Sequence, residues 1–336
     1  MLKETKVKKV LVTGASSFIA KHCLSELILS GYKTKGTLRS ITKADQIKKD
    51  LEHHLEQSID IEFSQADLCS DNGWDHAVEG CDIVMHVASP FTFKQPKDEN
   101  DMILPAKEGT LRVLNAAKRA AVHRIIITSS NAAIWFGNFD IKEYNETNWT
   151  NINHNLIDPY TKSKTMAENA AWDFVQKNEE MQLTTINPVA VWGPGIGDHL
   201  HATSLTYFKM IMKNEIPGVP RMKIPIVDVR DVAKMHVKSL ETEAAIGKRF
   251  LLSEKEYWFL DIANELRFLG YNTPKRQIPN FMVKLMSIFD ETMKPSIPYL
   301  GFDYRLITDQ AKEILGFNPI DHNKTLKDTA EYIDSF

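Results

Sequence analysis

VLVTGASSFIA, residues 10–20, joins a short apolar run to a helix-like segment through one tight turn. Val10, Leu11 and Val12 have the β-branched, apolar character of a buried strand, and Gly14 supplies the turn. A doubly wound α/β sheet binds pyrophosphate at such a turn, because free backbone N–H groups there meet the positive end of a helix. These residues therefore predict the first strand, the phosphate-binding turn and the first helix of a dinucleotide-binding fold.

The glycine pattern of this turn is incomplete. Ser17 occupies the place of the second glycine and Ala20 that of the third. Ala20 is small enough to let the helix approach the strand, whereas the Ser17 side chain stands where backbone should approach a phosphate. Its hydroxyl either weakens phosphate binding or donates a compensating hydrogen bond, and an ordinary strand-to-helix connection is the alternative interpretation. The candidate cofactor-binding residues of the turn are Thr13, Gly14, Ser16, Ser17, Phe18 and Ile19.

Similar short strand-like runs recur along the first half of the chain, separated by amphipathic segments. This alternation predicts repeated strand–helix–strand crossovers, and hence an α/β fold with a doubly wound parallel sheet of the Rossmann type, covered on both faces. The predicted strands are residues 10–13, 34–38, 59–63, 83–87, 125–128 and 184–187.

The last third of the chain has a different pattern. Glycine and proline cluster after Val191, and helical segments predominate toward the end, which indicates a smaller, mostly helical substrate lobe. Residues 226–240 and the strand-like run 249–252 are expected to return to the sheet, so that the two parts interleave. The predicted division is 1–192 with 226–255 for the nucleotide-binding domain, and 193–225 with 256–336 for the substrate lobe.

Composition makes several classes of function improbable. The 336 residues carry a formal net charge of −3, from 41 Lys and Arg against 44 Asp and Glu, and scattered cations form no basic face for nucleic acid. Three cysteines without metal-ligand spacing favour reduced thiols in a cytosol. Residues 1–9 lack the apolar stretch of a signal peptide, and no run reaches the roughly 20 apolar residues of a membrane span. We expect a cytoplasmic monomer or homodimer that binds a small molecule, not nucleic acid or a membrane.

The end of the second predicted strand bears on the choice of cofactor. A basic residue there accommodates the 2′-phosphate of NADP, whereas an acidic one binds the 2′-hydroxyl of NAD. Arg39 ends the strand, with Lys43 close behind and no acid nearby, which predicts NADP(H); a solvated surface charge is the alternative. Asp67 and Leu68 follow the third strand, where a carboxylate accepts a hydrogen bond from adenine or caps a helix.

Tyr160 and Lys164 form the candidate catalytic pair. A spacing of four residues places them one turn apart on one face of a predicted helix, so the ammonium approaches the phenol. A nearby cation stabilises phenolate and is expected to lower the pKa of Tyr160, which makes it a general acid. An exposed amphipathic helix is the alternative interpretation.

Ser130 is the candidate third catalytic residue. It ends the apolar run 125–128 as the second of two hydroxyl residues, and ligands of open parallel sheets bind beyond such carboxyl ends. Ser130, or else Ser129, is therefore expected to contact the same carbonyl oxygen as Tyr160. Hydroxyl groups that cap the following segment are the alternative.

In combination these motifs resemble the extended short-chain dehydrogenase/reductases, and most closely the branch of dihydroflavonol reductases, cinnamoyl-CoA reductases and microbial aldehyde or ketone reductases. The resemblance covers nearly the whole chain. It rests on Thr13-Gly14, Thr128-Ser129-Ser130, Tyr160-x-x-Ser163-Lys164, His86-Val87-Ala88-Ser89-Pro90, Glu108-Gly109-Thr110, Asn187-Pro188, Trp192-Gly193-Pro194, residues 227–233 and Leu315-Gly316-Phe317.

The resemblance implies a role for each matched residue. Tyr160 would protonate the carbonyl oxygen while NADPH delivers hydride, Lys164 would hold the nicotinamide ribose, and Ser130 would hydrogen-bond the same oxygen. Ala88 and Ser89 would lie along the cofactor, and Pro188 and Val189 beside the nicotinamide carboxamide.

One departure from the plant flavonoid enzymes concerns the substrate. They carry a polar Asn shortly after the serine, where this chain has Ile134-Trp135-Phe136, which argues against a flavonoid. An apolar or aromatic substrate pocket is one interpretation of the aromatic residues, and core packing is the other. Its candidates are Phe91, Trp135, Phe136, Trp192, Tyr207 and Phe208.

The leading hypothesis is an NADPH-dependent reductase of an aldehyde or ketone. A nucleotide-sugar epimerase or dehydratase on the same scaffold is one alternative, although Asn131-Ala132-Ala133 lacks the acidic residues that a dehydratase places after its catalytic hydroxyl. A non-catalytic NADP-binding regulator is another. His199 and His201 have no third ligand nearby in the sequence, so no metal site is predicted.

Overall fold

The computed structural model describes residues 7–89, 96, 98–289 and 291–336. Its strands are β1 Lys9–Val12, β2 Lys33–Leu38, β3 Ile61–Gln65, β4 Ile83–His86, β5 Arg124–Thr128, β6 Glu143–Tyr144, β7 Gln182–Pro188, β8 Ala190–Trp192, β9 Val219–Pro220, β10 Lys223–Asp228, β11 Lys248–Leu252, β12 Lys255–Trp258, β13 Gln277–Ile278 and β14 Arg305–Leu306.

Helices occupy most of the connections between these strands. The α-helices are α1 Phe18–Leu29, α2 Ala44–Leu55, α3 Trp74–Val78, α4 Asn100–Arg119, α5 Pro159–Gln176, α6 Thr203–Met212, α7 Val229–Glu241, α8 Phe259–Phe268, α9 Asn280–Phe289, α10 Asp309–Leu315 and α11 His322–Asp334. Short 3-10 helices cover Ile41–Lys43, Asn131–Ala133, Glu243–Ala245 and Glu291–Tyr299.

The main sheet has seven strands in the order β11-β7-β5-β4-β1-β2-β3. Every neighbouring pair in it is parallel. The chain begins in the middle of the sheet, builds one edge through β2 and β3, then crosses back to build the other. This order confirms the predicted doubly wound parallel sheet, and it brings the carboxyl ends of β1, β4, β5 and β7 to one edge.

Both faces of the sheet are covered by helices. Val10 and Val12 belong to the apolar core that includes residues of α1 and α7, while Leu11 belongs to a second core with residues of α3, α4 and α5. Alternate side chains of a strand point to opposite faces. Apolar residues at all three positions therefore make β1 a fully buried central strand, as its continuous apolar run predicts.

The last third of the chain adds a third apolar core. It joins residues of β8 and β10 to residues of α6, α8 and α11. In the small sheet β12-β10-β8, β10 pairs parallel with β8 and antiparallel with β12. The expectation that residues 226–240 rejoin the main sheet is therefore wrong for β10. Residues 249–252 do return to it, within edge strand β11.

Within the described residues, no helix is both long enough and apolar enough to cross a bilayer.

Candidate active site

The turn after β1 is held by a glycine that no other residue replaces without strain. Gly14 has φ +67°, and a Cβ built on it would lie 2.9 Å from the Cβ of Ala88. Its backbone N–H donates to Thr37 Oγ1 at 3.0 Å. Gly14 thus serves both the left-handed turn and the close approach of the ends of β1 and β4.

The Thr13 side chain connects the ends of β1 and β4 through hydrogen bonds. Its hydroxyl accepts a hydrogen bond from Ala88 N at 3.0 Å and lies 2.8 Å from His86 Nδ1. Since Thr13 is fully buried, its side chain supports the turn. Phe18 is also buried and Ile19 packs against the core, so their side chains anchor α1 and only their backbone is oriented toward the turn.

Ser17 stands at the N-cap of α1. Its side chain makes no capping hydrogen bond and is exposed, so the hydroxyl is placed to donate to a ligand at the turn. Ala20 is fully buried, which agrees with close packing of the helix on the sheet.

A cavity of about 590 Å³ opens beside this turn. It brings together most of the predicted cofactor residues, which come from the ends of β1, β2, β3 and β4. The lining consists of Gly14, Ser16, Ser17, Thr37, Leu38, Arg39, Ser40, Lys43, Ala66, Asp67, Leu68, Cys69, Trp74, Ala88 and Ser89.

Three charged side chains, Arg39, Lys43 and Asp67, line this cavity. Arg39 is exposed, and among the described residues it has no hydrogen-bond or ion-pair partner, so its guanidinium is available to an anion. Lys43 lies in the short helix just after it. The Asp67 carboxylate accepts from Cys69 N at 2.9 Å and so closes a turn, whereas the next helix, α3, starts only at Trp74.

The three candidate catalytic side chains meet at the carboxyl edge of the sheet. Tyr160 lies in the first turn of α5, and Lys164 Nζ lies 6.0 Å from the centroid of its ring. The Ser130 hydroxyl hydrogen-bonds the Tyr160 hydroxyl. Ser130 also caps the short helix that follows, where it accepts from Ala132 N at 3.1 Å. Both interpretations of this serine, cap and partner of the phenol, therefore describe the same side chain.

Burial shifts the two titratable groups of this set in opposite directions. The pKa of Tyr160 is raised to about 12, chiefly by burial, with the Ser130 hydrogen bond acting against the shift and Asp158 adding to it. The pKa of Lys164 is lowered to about 8 by burial, and Glu168 opposes that change. The expectation that the pKa of Tyr160 is lowered is therefore wrong, because loss of solvation outweighs the neighbouring groups.

Ser129, the other candidate hydroxyl, faces away from this set. It donates to Glu168, a carboxylate of α5 that is 2 % exposed. Asn187 Nδ2 donates to the same carboxylate at 2.7 Å and to Ser130 O at 3.1 Å. Sequence reasoning did not single out Glu168, although its position four residues after Lys164 places it on the same helix face.

Pro188 and Val189 lie where β7 ends, next to the end of β5. Both are buried, and Val189 N donates to Leu252 O at 3.1 Å. They do not line the cavity beside Gly14.

The aromatic candidates Trp135 and Phe136 pack in an aromatic cluster of the first apolar core. The Trp135 and Phe136 ring centroids are 4.3 Å apart, and Trp135 lies 4.2 Å from Tyr304 and 5.1 Å from Tyr299. Trp135 Nε1 is buried and has no hydrogen-bond partner among the described residues. Trp135 is 3 % exposed and shares the first apolar core with Tyr299 and Tyr304, so core packing describes it.

The remaining aromatic candidates have other surroundings. Trp192 packs edge-on against Phe208 inside the third core, and Tyr207 is 53 % exposed. Phe91 lies outside the described residues. In the part of the chain that the structure describes, no group of three or more His, Cys, Asp or Glu side chains is placed to hold a metal ion.

Comparison with known proteins gives consistent matches. The model of the 3-beta hydroxysteroid dehydrogenase/isomerase family matches residues 11–298. The chain is 29% identical to the NADPH-dependent methylglyoxal reductase of Saccharomyces cerevisiae, over 97% of this chain and 98% of that one. It is 30% identical to a (2S)-flavan-3-ol-forming anthocyanidin reductase of Vitis vinifera, over 81% and 83% of the two chains.

A solved structure has the same architecture over almost its full length. The crystal structure of yeast methylglyoxal/isovaleraldehyde reductase complexed with NADPH superposes with a TM-score of 0.80 at 29% identity, covering 98% of each chain.

Proposed function

The chain belongs to the 3-beta hydroxysteroid dehydrogenase/isomerase family, and from this premise we propose that it reduces the carbonyl group of an aldehyde or ketone with Tyr160 as proton donor. The observation that carries the proposal is the meeting of Tyr160, Ser130 and Lys164 at the carboxyl edge of the sheet. Open parallel sheets place their reactive sites at that edge.

The protein is an NADPH-dependent oxidoreductase, like the relatives it resembles. The residues of the cavity fit this cofactor: a glycine turn at the positive end of α1, an exposed serine hydroxyl, and the exposed guanidinium of Arg39 for a 2′-phosphate. Gly14, Ser16, Ser17, Arg39, Lys43, Asp67, Leu68, Ala88 and Ser89 would hold it, and Lys164 would hold the ribose nearest the reacting carbonyl. When bound, NADPH supplies the hydride.

The side chains of this chain supply the proton and the polarity that the reduction needs. As the carbonyl oxygen gains negative charge, the Tyr160 hydroxyl donates its proton to that oxygen, and the substrate leaves as an alcohol. Ser130 donates a hydrogen bond to the same oxygen and so stabilises its developing charge. Lys164 stabilises the phenolate that remains until Tyr160 regains a proton from solvent.

The directions in which the two pKa values are shifted agree with these roles at neutral pH. With a pKa of about 12, Tyr160 is protonated and therefore carries the proton it must give. With a pKa of about 8, most of the Lys164 side chains are cationic at pH 7.

We propose a small carbonyl compound with an apolar substituent as the substrate. Residues 134–136, which stand four to six positions after Ser130, are Ile134, Trp135 and Phe136. Ile134 and Trp135 are buried in the first apolar core and Phe136 packs against it, so the chain beyond the serine is apolar and carries no carboxylate. The segments 193–225 and 256–336 contribute most of the third core and are the part of the chain proposed to cover the substrate.

The substitution Tyr160→Phe tests the proton donor. We expect kcat for NADPH-dependent reduction, followed as loss of NADPH absorbance over a panel of aldehydes and ketones, to fall by about 10²- to 10⁴-fold. NADPH binding, followed by fluorescence titration, should persist because the cavity beside Gly14 is unchanged.

Tyr271→Phe is the matched control. Tyr271 packs in the third core and hydrogen-bonds Asp334, remote from Tyr160, so its loss should leave kcat near the wild-type value. Unchanged turnover in Tyr160→Phe would remove the proposed role of Tyr160, and absence of turnover in the wild-type protein with every carbonyl tried would remove the proposed reaction.

A further inference from the structure

Glu168 is a buried carboxylate with both oxygens fully engaged. Oε2 accepts from Ser129 and, at 2.7 Å, from Asn187 Nδ2. Oε1 accepts from Arg249 Nε at 2.6 Å, from Thr185 Oγ1 at 3.1 Å and from Trp172 Nε1 at 3.2 Å. Apart from Trp172, these donors belong to three neighbouring strands of the main sheet: Ser129 directly follows β5, Thr185 and Asn187 lie in β7, and Arg249 lies near the start of β11.

Arg249 extends the same network to the turn that follows Ser130. Its Nη2 donates to Ala133 O at 3.0 Å, and its Nη1 donates to Asn148 O at 2.7 Å. The guanidinium also lies 3.7 Å from the centroid of the Trp149 ring. Nη1 also donates to Glu146 O at 2.8 Å, so hydrogen bonds and the aromatic ring surround this buried cation, as a buried ion pair requires.

The network reaches Ser130 through one side chain, and it shares helix α5 with Tyr160 and Lys164. Asn187 bridges the Glu168 carboxylate to the backbone carbonyl of Ser130. Glu168 lies one helical turn after Lys164 and two after Tyr160 on the same face of α5. A small cavity of about 20 Å³ is lined by both Lys164 and Glu168.

We propose that Glu168, paired with Arg249, is the positioning residue that fixes Tyr160 and Lys164 of α5 relative to Ser130 at the end of β5. The inference rests on the proposed function, because it assigns the three residues it positions to the reduction. Without the carboxylate, α5 loses the hydrogen bonds that join Glu168 to residues of β7 and β11 and to Ser129. The Tyr160 hydroxyl is then no longer held against the Ser130 hydroxyl.

A consequence of this arrangement is electrostatic. Burial lowers the pKa of Lys164 and Glu168 raises it. The other titratable groups around Lys164 are Tyr160 on α5 and His86 on β4, and the pKa of His86 is lowered to about 3 by burial and by Lys164 itself. His86 and Tyr160 are therefore neutral near pH 7, and Glu168 is the anion that favours the Lys164 cation.

The test is Glu168→Gln, which keeps the shape of the side chain and removes its charge. We expect kcat to fall about 100-fold, the cost of a misplacement on the scale of 1 Å, with a smaller change in KM. The alkaline limb of the kcat profile should move to lower pH by about one unit, since an opposite charge has been removed.

A second measurement is independent of turnover. Reductive methylation of Lys164 by formaldehyde and cyanoborohydride, followed by peptide mass spectrometry on the protein alone, reports the fraction of free amine at each pH. Wild-type protein should show a midpoint near the pKa of about 8, and Glu168→Gln should show one that is lower by about one unit. Glu168→Asp, which keeps the charge, should remain near the wild-type midpoint.

The double variant Glu168→Gln with Arg249→Met separates positioning from simple charge pairing. It leaves no buried guanidinium without its carboxylate, and so it answers the question if the single variant does not fold. We expect it to keep both the reduced kcat and the lowered midpoint. Wild-type kcat in the double variant, or an unshifted methylation midpoint in Glu168→Gln, would overturn the proposal.

Glu146→Gln is the matched control. Glu146 is a buried carboxylate near Arg249 that accepts from Leu251 N at 3.0 Å, but it lies off α5. Its loss should leave the Lys164 midpoint in place. A wild-type protein without carbonyl reduction would defeat the proposed function alone, because the methylation midpoints would still report on Glu168.

Discussion

At the scale of single residues, Arg39 carries the choice between the two nicotinamide cofactors. It is exposed at one end of the cavity beside Gly14, with Lys43 near it and no carboxylate against it among the described residues. A guanidinium matches the geometry of a phosphate, whereas a ribose hydroxyl gains little from it.

Arg39→Ser should therefore weaken NADPH and spare NADH. We expect the Kd for NADPH to rise about tenfold, the value of one charge-assisted hydrogen bond at an exposed position, with little change for NADH. Fluorescence titration with each cofactor measures both. Lys33→Ser, at the other end of β2, is the control for general loss of positive charge. Equal weakening of NADPH and NADH would contradict the assignment of Arg39 to the 2′-phosphate.

The residues of the site differed in how far the sequence could identify them. Tyr160 and Lys164 share a helix, so their spacing alone was enough to place them together. The choice of Ser130 over Ser129 needed the structure, since adjacent residues at a strand end point to opposite sides. Glu168 and Arg249 are 81 residues apart along the chain, and only the pairing of β11 with β7 brings them into contact.

At the scale of elements, α5 depends on its N-cap to present Tyr160. The Asp158 carboxylate accepts from Thr161 N at 3.0 Å and from Thr161 Oγ1 at 2.7 Å. Pro159 follows as the first helical residue, where a missing N–H costs nothing. The first turn of the helix, which holds the phenol, is therefore fixed by one carboxylate.

Asp158→Ala should lower the free energy of unfolding by about 1 kcal/mol and also lower kcat, because it releases the turn that holds Tyr160. Urea denaturation and steady-state kinetics measure the two effects. Asp321→Ala, which removes the analogous cap of α11 where Asp321 accepts from Asn323 N at 2.9 Å, should cost similar stability and leave kcat unchanged. A matching loss of kcat in both variants would mean that destabilisation, not release of the first turn, lowers the rate.

The strands of the main sheet were easier to predict than those of the small one. The central strands β1, β4 and β5 are buried apolar runs, whereas edge strand β3 is mostly not buried and pairs as Ile61–Gln65, two residues after the predicted start. The strands β8 and β12 have only three and four residues, so a local pattern hardly distinguishes them from loops.

At the scale of the whole molecule, four buried histidines make stability depend on pH. Burial lowers the pKa of His22 and His86 to about 3, and that of His199 and His236 to about 4, from 6.5. A pKa that is lower in the folded state gives stabilisation that is complete above pH 6.5 and is lost as the pH falls toward 4. Asp231, whose pKa is raised to about 6, acts in the opposite sense, as do Glu146 and Glu256, whose pKa values are also raised by burial.

We expect the free energy of unfolding to fall by about 1.4 kcal/mol per pH unit for each such histidine between pH 6.5 and 4. Urea denaturation at several pH values measures the slope. His236 donates from Nδ1 to Val232 O at 2.8 Å and accepts from Thr128 at 2.6 Å, so His236→Gln should flatten the slope. Replacement of the exposed His53 by Gln should not. A slope unaffected by His236→Gln would contradict this explanation.

The order of the strands also has a consequence for synthesis of the protein. The nascent chain emerges with Ser130, Tyr160, Lys164 and Glu168 long before Arg249, which lies in the last strand to join the main sheet. Until that strand leaves the ribosome, the Glu168 carboxylate cannot pair with the Arg249 guanidinium, and α5 cannot complete its contacts with the main sheet. A premature stop just before Arg249 would release a polypeptide that contains all the proposed chemistry but lacks its anchor.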